Sequence, residues 1–179
     1  MAGLRDLGVD AVGLSGVDGG LLIAERIPHL GLVASVAGLR RDLLDAILVG
    51  GQVPVVAPLA RDAEGIVCNV NADDAAGGIA AGLGARQLVL MTDVDGVRDA
   101  GGHKLDTLTA AEADHLIETG VIAGGMVPKV RAALSALGWE GAEAIIADSS
   151  ADRALERALT DPAFGTRITA VRPAPVGAA

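Results

Sequence analysis

Aromatic side chains are nearly absent from this chain: one Phe, one Trp and no Tyr in 179 residues. A core built here has to be aliphatic and small-residue in character. Cysteine is down to Cys68, so no internal disulfide can form, which fits a reducing compartment such as the cytoplasm. Apolar residues make up 51% of the chain, yet charges interrupt them everywhere. No apolar run approaches the roughly 18 residues of a membrane span. No charged segment followed by an apolar stretch opens the chain as a secretion signal would. Positive charge is scarce, with a net charge of −9; a nucleic-acid binder needs a basic patch, so that class is disfavoured. His29, His103 and His115 lie apart with no metal-ligand spacing and read as surface residues. Cys68, in an apolar stretch, reads as a small core residue. No G-x-x-x-x-G-K-[ST] or G-x-G-x-x-G stretch occurs.

Lysine is the scarcest cation, present only as Lys104 and Lys129 against 12 arginines. Lys129 lies in Gly124-Gly125-Met126-Val127-Pro128-Lys129-Val130, which runs from a loop into a helix. Pro128 suits the first helical position, where no N–H donor is required. Val130, Ala133, Leu134 and Leu137 then recur at the spacing of one buried helix face. Lys129 thus falls in the first turn, at the positive end of the helix dipole, which is mildly unfavourable unless an anion is bound. A helix N-terminus with an ammonium beside it is a phosphate site; the alternative is a solvated surface lysine.

The rest of the chain reads as alternating strands and helices over one domain, 1–179. Residues 4–8 resemble a last helical turn closed by Gly8. Strands are predicted at 9–14, 21–24, 53–57, 66–70, 87–91, 144–147 and 164–170. Helices are predicted at 39–49, with Leu39, Leu43 and Ile47 on one face, and at 72–83, with Asp73 and Asp74 in the first turn. Thr109 and Glu112 form a capping box that opens a helix ending at Gly120, and 151–159 is helical. Several strands are apolar on both faces, the pattern of a mostly parallel sheet covered by helices. Ligands bind such sheets beyond the carboxyl ends of the strands. Four polar clusters fall there: 15–20, 69–73, Thr92-Asp93 and Asp148-Ser149. Asn69 and Asn71 alternate onto one side of their strand, although Asn71 also fits a helix N-cap and Asp73 plain helix capping. Asp93 is equally a turn residue. The glycines at 16–20 and 124–125 either admit a ligand close to the backbone or simply relieve strain.

Together these segments resemble the acetylglutamate kinases of the amino-acid kinase family. The resemblance rests on Ala11-Val12-Gly13-Leu14-Ser15-Gly16, Val53-Pro54-Val55-Val56, Asn69-Val70-Asn71-Ala72-Asp73-Asp74-Ala75-Ala76, residues 90–97, the Lys129 segment and Gly165-Thr166-Arg167-Ile168. It implies a three-layer αβα sandwich of the carbamate kinase-like type and transfer of phosphate from ATP, with Mg²⁺, to the γ-carboxylate of N-acetylglutamate. Carried onto this chain, Lys129 would stabilise the transferring phosphoryl group and Asp73 would orient the catalytic lysines. Asn69 and Asn71 would meet the amino-acid substrate, and Thr92, Asp93, Ile122, Gly125 and Met126 would line the nucleotide site. No residue is implied as a standing metal ligand. The family's first strand with a further catalytic lysine, its Gly-Gly turn and a substrate-gripping arginine precede the region where this chain starts. Lys104, in a loop after Gly101-Gly102-His103, cannot replace that lysine by order. The resemblance is therefore to the nucleotide-binding half. A cytoplasmic protein is expected, bound to no nucleic acid or membrane, that associates with itself or with an N-terminal partner chain. The alternatives are a non-catalytic nucleotide-binding module and an aminoadipate-type kinase.

Overall fold

The computed structural model describes residues 2–171. The chain divides into two compact units, 1–83 and 84–179.

In the first unit, α1 (Ala2–Asp6) ends at Gly8, whose φ of +80° closes the helix. Strand β1 (Ala11–Ser15) follows and pairs in parallel with β4 (Val53–Ala57). Strands β2 (Leu22–Arg26), β3 (Val33–Leu39), β5 (Leu59–Arg61) and β6 (Val67–Val70) close into a small barrel in the order β2-β3-β6-β5. Its filling is aliphatic and small, as the lack of aromatics requires: Leu21, Leu22, Ala24, Ala34, Leu44, Ala60, Cys68, Val70 and Ala75 form one buried cluster. Helix α3 (Ala72–Leu83) has the predicted extent and packs on β3. The fit is close. A Cβ on Gly78 would come within 2.6 Å of Val36 Cγ1, and one on Gly82 within 2.7 Å of Leu39 Cβ.

Two readings of this unit are corrected. Helix α2 spans Asp42–Val49 and buries Leu44 and Ile47, not a Leu39, Leu43, Ile47 face. Leu39 belongs to β3, where it pairs with Leu22, so its helical spacing to Leu43 is a coincidence of sequence. Strands β3 and β5 were not anticipated. The first consists largely of small residues, with a register shift in its partner between Ile23 and Ala24, and the second has three residues.

In the second unit, β7 (Gln87–Thr92), β9 (Glu143–Asp148), β10 (Thr166–Thr169) and β8 (Thr107–Thr109) form a sheet in that order. Ala144, Ile145, Ile146 and Ala147 are all fully buried. Successive strand residues face opposite ways, so helices must cover both faces of β9. Helix α6 (Ala154–Thr160) lays Ala158 against Ile145 and Ala147, and α5 (Met126–Ser135) also packs on β9. Helix α4 (Ala110–Glu118) opens with the expected capping box: Thr109 Oγ1 accepts the Glu112 N–H at 3.2 Å, and Glu112 Oε2 accepts the Thr109 N–H at 2.8 Å.

Across the two units the class is α/β with mixed sheets. Pairs β1–β4, β2–β5, β3–β6, β7–β9 and β8–β10 are parallel; β2–β3, β5–β6 and β9–β10 are antiparallel. No described helix is long and apolar enough to cross a membrane.

Candidate nucleotide and substrate sites

Helix α5 begins at Met126, two residues earlier than predicted, with Gly125 as its N-cap. Pro128 is therefore the third helical residue and Lys129 the fourth. The shift costs nothing, because the first N–H groups of a helix lack intrahelical acceptors anyway. The opening turn is tightened instead by Met126 N–H to Ala123 O at 3.3 Å and Val127 N–H to Gly124 O at 3.2 Å. Lys129 is half-buried at the end of this turn, next to fully buried Val130. Gly124 has a φ of +57°, and nothing lies within 4 Å of where a Cβ would stand on it or on Gly125. The backbone here is open to close approach.

Met126 and Ile122 share a hollow of about 250 Å³ with Val94, Gly96, Val97, Arg98, Val121 and Ala123. Ile122 is buried, its N–H bonded to Leu116 O at 2.9 Å. Thr92 and Asp93 stand where β7 feeds this loop. Thr92 is 8% exposed and donates its hydroxyl to Asp93 Oδ1 at 3.1 Å. Its carbonyl accepts the Ser149 N–H at 2.7 Å, which joins the ends of β7 and β9. Of the five predicted nucleotide residues, Ile122 and Met126 line the hollow, and Thr92, Asp93 and Gly125 lie on the segments that frame it. Val94, Gly96, Val97, Arg98, Val121 and Ala123 line it as well, and 94, 96 and 97 sit inside the motif that carried the resemblance. Arg98 is braced at the rim, donating to Gly102 O at 2.7 Å and Asp95 Oδ1 at 3.0 Å.

Asn69, Asn71 and Asp73 belong to the first unit. Asn69 is exposed on β6 between buried Cys68 and Val70, and its N–H bonds to Leu32 O. Asn71 is exposed and caps α3: its Oδ1 accepts the N–H groups of Asp73 at 2.8 Å and Asp74 at 3.3 Å. Its side-chain carbonyl is thus engaged locally. Asp73 is half-buried in the first turn of α3. Asp74 does more than complement the dipole, accepting the Val36 N–H at 3.0 Å and tying α3 to β3.

The other polar clusters are largely self-satisfied. Asp18 accepts the N–H and hydroxyl of Ser15 at 2.7 and 2.9 Å, which holds its carboxyl below the usual range. Asp148 is lowered in the same way by the Ser150 N–H and hydroxyl. Gly16 is required by packing, since a Cβ there would overlap Leu59 O and the Leu22 side chain. Lys104 Nζ is committed to Asp106 Oδ1, Ala163 O and Gly165 O at 2.6, 2.9 and 3.0 Å. Among the described residues no group of three or more His, Cys, Asp or Glu is placed to hold a metal.

The model of the amino acid kinase family matches residues 1–148. The chain belongs to that family. It is 52% identical over 137 residues to the acetylglutamate kinase of Geobacillus stearothermophilus, a match covering 75% of this chain and 52% of that one. Against the acetylglutamate kinase of Solibacter usitatus it is 44% identical over 169 residues, 94% of this chain and 66% of the other. The crystal structure of smu.665 from Streptococcus mutans superposes with a TM-score of 0.80 at 29% identity, over 95% of this chain and 65% of that one. The chain thus spans about half to two thirds of the length of these relatives.

Proposed function

We propose that this family member binds an adenine nucleotide with its base in the hollow between the 94–98 loop and the start of α5, and serves phosphoryl transfer from ATP to the γ-carboxylate of N-acetylglutamate. One observation carries the reading: Ile122 and Met126 meet Val94, Gly96 and Val97 around a single hollow that lies one helical turn from Lys129. At about 250 Å³ the hollow is near the lower end of small-molecule sites, roughly 300–1,000 Å³. Its aliphatic walls suit a flat, weakly polar base. The phosphates would then extend toward the open Gly124-Gly125 backbone and the Lys129 ammonium, where a helix N-terminus and a cation favour negative charge. Phosphoryl transfer asks for such positioning and charge stabilisation more than for covalent help. Mg²⁺ would be carried mostly by the phosphates, since it needs only one or two protein carboxylates.

The acceptor side rests on Asn69 and Asp73. Asp73 is proposed as a catalytic residue of the first unit, and Asn69 would contact the acetylated amino acid; Asn71 would act mainly by holding the start of α3. The reading includes association with an N-terminal partner chain or a second copy.

Calorimetry with Mg-ATP, Mg-ADP and adenosine tests the nucleotide reading. Weak binding of all three is expected, with Lys129→Ala weakening ATP more than adenosine. Absence of nucleotide binding at millimolar concentration would overturn it. Hydroxamate trapping with acetylglutamate tests the rest: product formation that Lys129→Ala abolishes supports the transfer reading, and formation that Lys129→Ala leaves unchanged would overturn it. Aminoadipate-type acceptors serve as controls for substrate class.

A further inference from the structure

The 94–98 loop walls the hollow, with Val97 buried and Val94 exposed. It is also bonded to β10. Thr166, the first residue of that strand, is fully buried. Its Oγ1 accepts the Val97 N–H at 2.8 Å and donates to Leu105 O at 2.5 Å. One hydroxyl therefore clamps both arms of the 97–105 hairpin, whose strands also meet at an Arg98–Lys104 bridge. The approach is close enough to exclude any side chain at 96: a Cβ on Gly96 (φ +146°) would lie 2.5 Å from Thr166 Oγ1 and 3.2 Å from Thr166 N. Lys104 adds a second clasp from the hairpin to Ala163 O and Gly165 O, just before Thr166. Arg167 N–H to Asp106 O, at 2.9 Å, extends the same seam.

We infer that Thr166 is a positioning residue for the nucleotide site, acting through Val97 and Gly96, with Lys104 as its outer support. The inference rests on the nucleotide reading above and adds to it a group that touches no ligand. A valine at 166 keeps the shape but can neither accept from Val97 nor donate to Leu105. The buried Val97 N–H would be left unpaired and the half-buried Leu105 carbonyl would lose its donor, so the loop gains reason to move off its position. A serine keeps the hydroxyl.

The experiment is ADP titration by calorimetry on wild type, Thr166→Val, Thr166→Ser and Lys104→Met, at a temperature where circular dichroism shows each to be folded. Thr166→Val should bind ADP about tenfold more weakly, the order expected when a buried N–H loses its acceptor. Thr166→Ser should stay within about twofold of wild type, and Lys104→Met should fall between. A purely structural role would lower the melting temperature of Thr166→Val and leave its ADP affinity unchanged; that outcome overturns the inference while the nucleotide reading stands. Should Thr166→Val not fold, wild-type affinity in Lys104→Met overturns it instead. Failure of the wild type to bind ADP removes the nucleotide reading itself, and the inference with it.

Discussion

Gly78 lies mid-helix in α3, where sequence preference alone favours alanine. Gly→Ala in a helix interior gains roughly 0.8–1 kcal/mol. The tertiary contact opposes this. The added Cβ would sit 2.6 Å from Val36 Cγ1 and 3.1 Å from Val36 Cβ. Valine is stiff at χ1 and cannot swing clear at little cost, and Val36 packs against the buried cluster of the barrel. Its backbone is also pinned, because its N–H donates to Asp74 at the start of the same helix. Overpacking of this kind costs about 1–3 kcal/mol. The clash therefore wins, and Gly78→Ala should destabilise by about 1 kcal/mol. In a Val36→Gly background the whole obstructing side chain is gone, and Gly78→Ala should become stabilising. This change of sign is the signature of a pairwise contact in a double-mutant cycle. Urea unfolding followed by far-UV circular dichroism measures it; fluorescence is unsuitable because the only tryptophan, Trp139, lies in the other unit. A single Gly78→Ala variant more stable than wild type, or the same sign in both backgrounds, would refute the reasoning.

Two further outcomes are expected. Asp99 Oδ1 accepts the N–H groups of His103 and Gly101 at 2.9 and 2.8 Å, and these bonds, His103 first, hold its carboxyl below the usual range. A folded value below the unfolded one means stability present above about pH 4 and lost as pH falls through the folded value. Asp99→Asn should therefore flatten the acid limb of stability against pH, and an unaltered limb would count against this account. Association is the other: β1 and β4 form a two-stranded parallel sheet with Val53 and Val55 exposed at 47% and 38%. Parallel sheets are ordinarily covered on both faces, so light scattering during size exclusion should show a dimer or larger species, and a concentration-independent monomer near 17.8 kDa would refute it.

The sequence alone determined those features whose causes lie within a few residues. The period of 72–83, the Thr109–Glu112 box and the strand 53–57 were legible because helix faces, caps and short apolar runs are local patterns. The helix carrying Lys129 was legible for the same reason, although it begins two residues earlier than its Pro128 suggests. The tertiary structure decided whatever depends on partners distant in the chain. Leu39 is a strand residue because Leu22 lies across from it, against its helical spacing to Leu43. Strand β3, built largely of small residues, and the three-residue strands β5 and β8 carry little signal of their own and exist through pairing. Pro128 moved inward because loop carbonyls at 123 and 124 supplied an extra turn. Gly78, which reads as a weak point in a helix, is the contact surface for Val36. Thr166, an ordinary β-branched residue by sequence, holds the wall of the candidate nucleotide site through two bonds that span 61 and 69 residues. A hydrogen bond of that reach leaves no periodic trace in the chain, so only the folded arrangement reveals it.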